Sequence, residues 1–256
     1  MNAVLETRHL TLSIGAVAVC RDLSLRIEPG QCWGVLGRNG TGKSTLLHTL
    51  AGLRAADAGA VLLDGAPLTG QPRRQVARRL GVLFQEYADP FPSTVLETAL
   101  TGRHPHLGAW DWEGPEDLEL ARAALARTGL TELAGRAVNT LSGGERRRLA
   151  CATLFTQAPA LYLLDEPANH LDLNHQMALF EELRRQAREE ERAVCMVLHD
   201  PNLAVRYCDH LLLLFGAGEA LAGPAAALLT ATHLERLYHH PLVAVPTAAG
   251  TFWLPG

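Results

Sequence analysis

Gly37-Arg38-Asn39-Gly40-Thr41-Gly42-Lys43-Ser44 constrains this chain more than any other stretch. It follows the apolar run Trp33–Leu36 and precedes a helical pattern over Lys43–Ala51, so it fits GxxxxGK[ST] in the strand–loop–helix setting that pattern requires. Glycines allow a tight loop whose successive N–H groups point inward, and the helix start adds about half a positive charge in the same direction. The expected ligand is a polyphosphate. Lys43 is placed to reach its outer phosphates, Ser44 to ligate Mg²⁺, and Gly37 to Thr45 to line the remainder.

A loop of this kind needs a parallel sheet, and the chain supplies one. Apolar runs at Trp33–Leu36, Ala60–Leu63, Leu161–Leu164, Ala193–Leu198 and Leu211–Phe215 read as buried strands, alternating with helical patterns such as Gln176–Glu190. Leu10–Ile27 alternates and contains turn residues, which predicts antiparallel strands ahead of the first crossover. The stretch from Thr94 to Gly129 is helical and loop-rich. The expected fold is α/β, a P-loop NTPase with a mainly parallel core sheet and an N-terminal antiparallel part. One domain spans 1–256, its core being about 1–88 and 157–256, with a helical insert at about 89–156. The tail after Pro241 carries little pattern. Thr232-His233-Leu234-Glu235 reads as a capping box opening a short helix.

Leu161-Tyr162-Leu163-Leu164-Asp165-Glu166 is a strand ending in two carboxylates. Ligands of doubly wound sheets gather at that end of a strand. Asp165 is the candidate Mg²⁺ ligand, and Glu166 the group that orients or deprotonates the attacking water.

Leu141-Ser142-Gly143-Gly144-Glu145 precedes a further helix and forms a second candidate anion site. Taken in order, the phosphate loop, Gln85, this segment, Asp165-Glu166 and His199 resemble the ATP-binding cassette family over nearly the whole chain. That resemblance implies a MgATP hydrolase that works as a head-to-tail homodimer. Ser142, Gly143 and Gly144 of one copy would complete the nucleotide pocket of the other. It makes Gln85 a sensor of Mg²⁺ and water, the stretch after it a contact with a membrane subunit, His199 a γ-phosphate contact, and Asp172 the acid of the loop that crosses the dimer. The chain departs from the family in two places. No aromatic residue stands near Ile14-Gly15 to stack on adenine, which leaves Ile14 or Val19 for an apolar contact. Thr153 stands where an arginine is common.

Glu166-Pro167-Ala168-Asn169-His170-Leu171-Asp172-Leu173, His175-Gln176, and His199-Asp200-Pro201-Asn202-Leu203-Ala204 with Tyr207-Cys208-Asp209 resemble the importers of iron–siderophores, haem or cobalamin. The implied partners are membrane permease subunits and, indirectly, an external substrate-binding protein, with the chain peripheral on the cytoplasmic face of the membrane. Rival readings are an assembly ATPase, as in iron–sulfur cluster biogenesis, the motor of another metal or oxyanion importer, an exporter motor, and a DNA-maintenance ATPase.

Composition narrows these. A net charge of −4 argues against a nucleic-acid partner. The N-terminus lacks the pattern of a signal peptide, and Gly216, Gly218, Glu219 and Pro224 interrupt the most apolar stretch, so a soluble chain is expected. The five cysteines form no CxxC pair and read as reduced thiols. Arg73, Arg74, Arg78 and Arg79 suggest a solvated helix face or an interface. Arg146, Arg147 and Arg148 follow the glycine pair, and of these Arg146 is the candidate for an interface role. His104 with His106, and His239 with His240, lack further ligands at metal-binding spacing. Trp110 and Trp112 are candidates for a contact with a membrane subunit or for packing within the helical insert.

Overall fold

The computed structural model describes residues 3–85, 92–108, 110–247 and 250–256. Alternating side chains open it as a hairpin, β1 (Leu5–Ile14) and β2 (Val17–Ile27), with Ile14 paired to Val17 across the turn. β3 (Cys32–Gly37) then leads through the phosphate loop into α1 (Lys43–Leu50). β4 (Ala58–Leu63) and β5 (Ala66–Pro67) return to the first hairpin, giving an antiparallel sheet of order β2-β1-β4-β5. The run Ala60–Leu63 therefore belongs to this sheet, with only Leu62 and Leu63 buried within it. It does not join the parallel set that its apolar character suggests.

After α2 (Arg73–Arg79) comes β6 (Leu80–Leu83), a four-residue strand that sequence patterning passes over. The helices α3 (Val95–Leu100), α4 (Pro115–Arg127) and α5 (Gly143–Gln157) pack on one another through Val95, Ala99, Ala121, Ala124, Leu125 and Leu149. β7 (Leu161–Leu164), α6 (Leu173–Glu190), β8 (Ala193–Val197), α7 (Pro201–Tyr207), β9 (His210–Gly216) and β10 (Glu219–Pro224) complete the core sheet. Its order is β10-β9-β3-β8-β7-β6, parallel except for β10.

The central strands are apolar throughout because both faces are covered. Their side chains still alternate. Tyr162, Leu164, Val194 and Met196 join the cluster beneath α5 and α6, whereas Leu161, Leu163, Cys195 and Val197 join the one holding Leu46, Leu47 and Leu50 of α1. Burial on this scale is worth about 1.5–3 kcal/mol per large aliphatic side chain. It also fixes register, since a slip of one residue would exchange the two faces.

The chain ends in α8 (Ala225–Leu228), α9 (Ala231–Tyr238) and a hairpin of β11 (Leu242–Thr247) and β12 (Gly250–Pro255). Sequence patterning leaves this tail open. Trp253, which is buried, packs it onto α7, and its backbone N–H and C=O pair with the Asn202 side chain. The expected capping box at Thr232 is displaced. Thr230 is the N-cap, its hydroxyl accepting from the His233 N–H, and Thr232 lies inside α9. That phase buries Leu234 and Leu237. Among the described residues no helix is long and apolar enough to cross a membrane.

Candidate nucleotide site

The phosphate loop leaves the central strand β3 and is pressed between β2 and β9. A Cβ at Gly42 would fall 2.4 Å from Val19 Cγ2, and one at Gly37 would fall 2.8 Å from the Leu214 carbonyl. Gly42 is the N-cap of α1 with φ +92°, which favours glycine for a second reason. It brings no side-chain acceptor, and the first turn holds no acid. The N–H groups of Lys43, Ser44 and Thr45 therefore have no intrahelical partner, as an anion site requires. Lys43 is buried, with Nζ donating to the Gly37 and Arg38 carbonyls at 2.8 and 3.0 Å. Burial pulls its pKa down, opposed by Glu166 and Asp165. Phosphate oxygens would compete with those two carbonyls for the same ammonium.

Val19, one of the two residues left for adenine, is fully buried beneath Gly42 and offers no surface. Ile14 and its neighbour Val17 are exposed at the tip of the first hairpin.

Sheet order gathers the remaining groups. β3, β8, β7 and β6 are consecutive neighbours, and their carboxyl ends carry the phosphate loop, His199, Asp165-Glu166 and Gln85. Asp165 is 1% exposed, and its Oδ1 has no hydrogen-bond partner among the described residues. A buried carboxylate oxygen left unpaired is costly, so this atom fits a ligated cation or its water. Glu166 is engaged at both oxygens: Oε1 accepts from His199 Nε2 at 2.5 Å, and Oε2 accepts from Gln85 Nε2 at 3.3 Å and from Asn169 Nδ2. Glu166 and His170 both have left-handed backbones, φ +48° and +66°. Each costs of order 1–3 kcal/mol and persists where surrounding contacts over-determine it.

Ser142–Gly144 contributes no hydrogen bond to this cluster among the described residues. The Ser142 hydroxyl caps α5, accepting from the Glu145 N–H, while the Glu145 carboxylate accepts from the Ser142 N–H. A Cβ at Gly144 would lie 3.1 Å from the His170 carbonyl, so the segment packs on the loop ending at Asp172. Asp172 itself caps α6 and accepts from the His175 ring at 2.7 Å. The residues directly after Gln85, 86–91, lie outside the described residues.

Three residues at the site had no signal strong enough to single them out. Asn169 holds Glu166. Tyr238, from α9, donates to the His199 carbonyl at 3.2 Å. Arg147 is 5% exposed and reaches five backbone carbonyls around Gln85 and Glu166. Within the arginine run only helical phase tells them apart. Arg146 donates to Asn139 O, Arg148 to Thr128 O and Gly129 O, and Arg147 points inward.

The other basic cluster is occupied within the chain. Arg73 donates to Gly52 O, Arg74 and Arg78 to Pro105 O, and Arg79 pairs with Asp64. Thr153 bonds to Leu149 O and Thr98 O, joining α5 to α3. His106 meets the Gln157 carbonyl, and among the described residues no group of three or more candidate ligands is placed to hold a metal. Trp110 and Trp112 are 93% and 88% exposed.

A phosphate loop and an acid pair at the same edge of a parallel sheet, one strand apart, define a P-loop ATPase. The family model for ABC transporters matches residues 20–169. The chain is 39% identical to the ferric enterobactin transport ATP-binding protein FepC of Escherichia coli, over 92% of this chain and 87% of that one. It is 38% identical to the hemin import ATP-binding protein HmuV of Bordetella pertussis, over 96% and 97%. In three dimensions it resembles a chain of a metal-chelate type ABC transporter in an inward-facing conformation, with TM-score 0.86, 29% identity and coverage of 100% and 98%. It also resembles a bacterial ABC transporter cassette solved as a dimer, with TM-score 0.76, 25% identity and coverage of 86% and 98%. The chain belongs to the ABC transporter family, as an ATP-binding subunit.

Proposed function

We propose that this chain powers an importer of iron–siderophore or haem cargo by hydrolysing MgATP between two copies of itself. The observation that carries the chemistry is the adjacency of four strand ends, which sets the Lys43 loop, Asp165, Glu166, Gln85 and His199 around one space. The unpartnered Oδ1 of Asp165 supports a Mg²⁺ site completed by Ser44 and Gln85. When bound, Mg²⁺ draws negative charge from the phosphates. Lys43 and the N–H groups of Gly37 to Thr45, Arg38, Asn39 and Thr41 included, hold the phosphates. Glu166 takes the proton of the attacking water or orients it, and His199 fixes that carboxylate and meets the terminal phosphate.

Ser142, Gly143 and Gly144 of the second copy close the pocket, a reading supported by their making no hydrogen bond to this chain's own cluster among the described residues. The insert at about 89–156 forms a helical subdomain on the core of about 1–88 and 157–256, which the packing of α3, α4 and α5 on one another supports. The partners of the chain are membrane permease subunits, with an external binding protein acting through them, and the chain works at the cytoplasmic face of the membrane. The cargo assignment rests on the names of its relatives, which include a petrobactin importer subunit of Bacillus anthracis at 40% identity.

The test is a gentle pull-down of the tagged Glu166→Gln chain from detergent-solubilised source cells in MgATP, followed by mass spectrometry. A polytopic membrane protein in stoichiometric amount is expected. A soluble partner set without one would replace the importer with an assembly ATPase.

A further inference from the structure

Arg147 lies on α5 five positions after Ser142, about 7 Å along the same rigid helix. A guanidinium carries five N–H donors in a fixed planar fork. Here those donors meet five carbonyls: Nε bonds to Pro167 O at 3.0 Å, Nη1 to Phe84 O and Gln85 O at 2.5 and 3.4 Å, and Nη2 to Asp165 O and Glu166 O at 2.6 and 2.7 Å. Every acceptor is main chain, and they come from the ends of β6 and β7. The carboxylates of Asp165 and Glu166 are bypassed, which leaves Asp165 Oδ1 unpartnered and Glu166 on His199, Asn169 and Gln85.

Two features set this apart from an ordinary buried arginine. A structural arginine in an interior normally pairs with a carboxylate, because burial of an unpaired charge is costly. This one is compensated by converging carbonyl dipoles, and it occupies the two loops that carry the metal carboxylate, the base and Gln85. It also holds those carbonyls in place, one guanidinium joining the backbone of both loops.

We propose that Arg147 is a positioning residue that ties the helix of the Ser142–Gly144 segment to the backbone bearing Gln85, Asp165 and Glu166. The inference rests on the ATPase reading above. Under the two-copy arrangement its consequence is directional. Engagement of Ser142–Gly144 by the partner's nucleotide moves α5, and Arg147 transmits that movement to this chain's own reacting groups.

The test compares the wild-type chain with Arg147→Lys, which keeps the charge but loses the fork, and Arg147→Gln, which keeps a neutral donor pair. Three quantities are read. They are affinity for a fluorescent ATP analogue without metal, Mn²⁺ affinity of the chain loaded with a non-hydrolysable analogue by electron paramagnetic resonance, and kcat for ATP. We expect metal-free nucleotide affinity within about twofold of wild type in both variants, Mn²⁺ affinity weaker by at least fivefold, and kcat lower by at least tenfold. Mn²⁺ affinity and kcat within twofold of wild type in both variants would overturn the proposal. So would a parallel fall of metal-free nucleotide affinity, which a general loosening of the fold produces. Wild-type chain that neither binds the analogue nor hydrolyses ATP would instead sink the ATPase reading.

Discussion

His199 Nε2 and Glu166 Oε1 lie 2.5 Å apart although 33 residues separate them in sequence. They meet because β7 and β8 are parallel neighbours in register, Leu164 opposite Met196, so both strands deliver their next residues to the same edge. The contact fixes a carboxylate that sequence leaves unoriented. Glu166→Gln is expected to bind ATP and to hydrolyse it about 100- to 10,000-fold more slowly, the range for loss of a positioned base. In saturating MgATP it should accumulate as a dimer by light scattering. Near-normal turnover would remove Glu166 from the base role.

Lys43 is held by two loop carbonyls and, among the described residues, pairs with no carboxylate. Lys43→Ala should therefore leave the fold intact and weaken ATP binding by about 100-fold or more, from two charge-assisted contacts at ~1.5–3 kcal/mol each. An equilibrium titration showing affinity near wild type would contradict the phosphate-loop assignment.

Ser142 caps α5 and, in the function proposed, closes the pocket of the other copy, and one substitution probes both. Ser142→Arg removes the N-cap of α5, at about 1 kcal/mol, which for a chain of this size lowers Tm by roughly 2–4 °C. Nucleotide binding by each subunit should persist while hydrolysis falls well below wild type. Normal turnover would mean that this segment does not close the opposite pocket.

All five cysteines are free and buried. Burial pushes the thiols of Cys20 and Cys151 up to about 11, those of Cys32 and Cys195 up to about 12, and that of Cys208 well above its ordinary value. A raised thiol pKa means less thiolate at a given pH. At pH 8 the native chain should react with iodoacetamide about 100-fold or more slowly than the denatured chain. Rapid labelling of any one cysteine in the native chain, counted by mass spectrometry, would show that its site opens.

Local segments were legible before any contact was known. The phosphate loop, the glycine pair after Ser142 and the carboxylates after Leu164 are each contiguous, so composition and order specify their conformation and chemistry. The buried strands β3, β7 and β8 were legible too, since a strand covered on both faces must be apolar at every position.

Tertiary structure decided what depends on partners distant in sequence. β6 is only four residues long and is identified as a strand by pairing with β7. The C-terminal hairpin exists because Trp253 has α7 to pack against. Val19 is lost to adenine because Gly42 presses on it. Arg147 differs from Arg146 and Arg148 only in helical phase, and a phase has meaning only once the other side of the helix is known. Sequence alone determined that the site holds the phosphate loop, Gln85, Asp165, Glu166 and His199, but not Asn169, Arg147 or Tyr238. The order and register of the parallel strands, set by burial of two opposite faces, determined which of those groups touch.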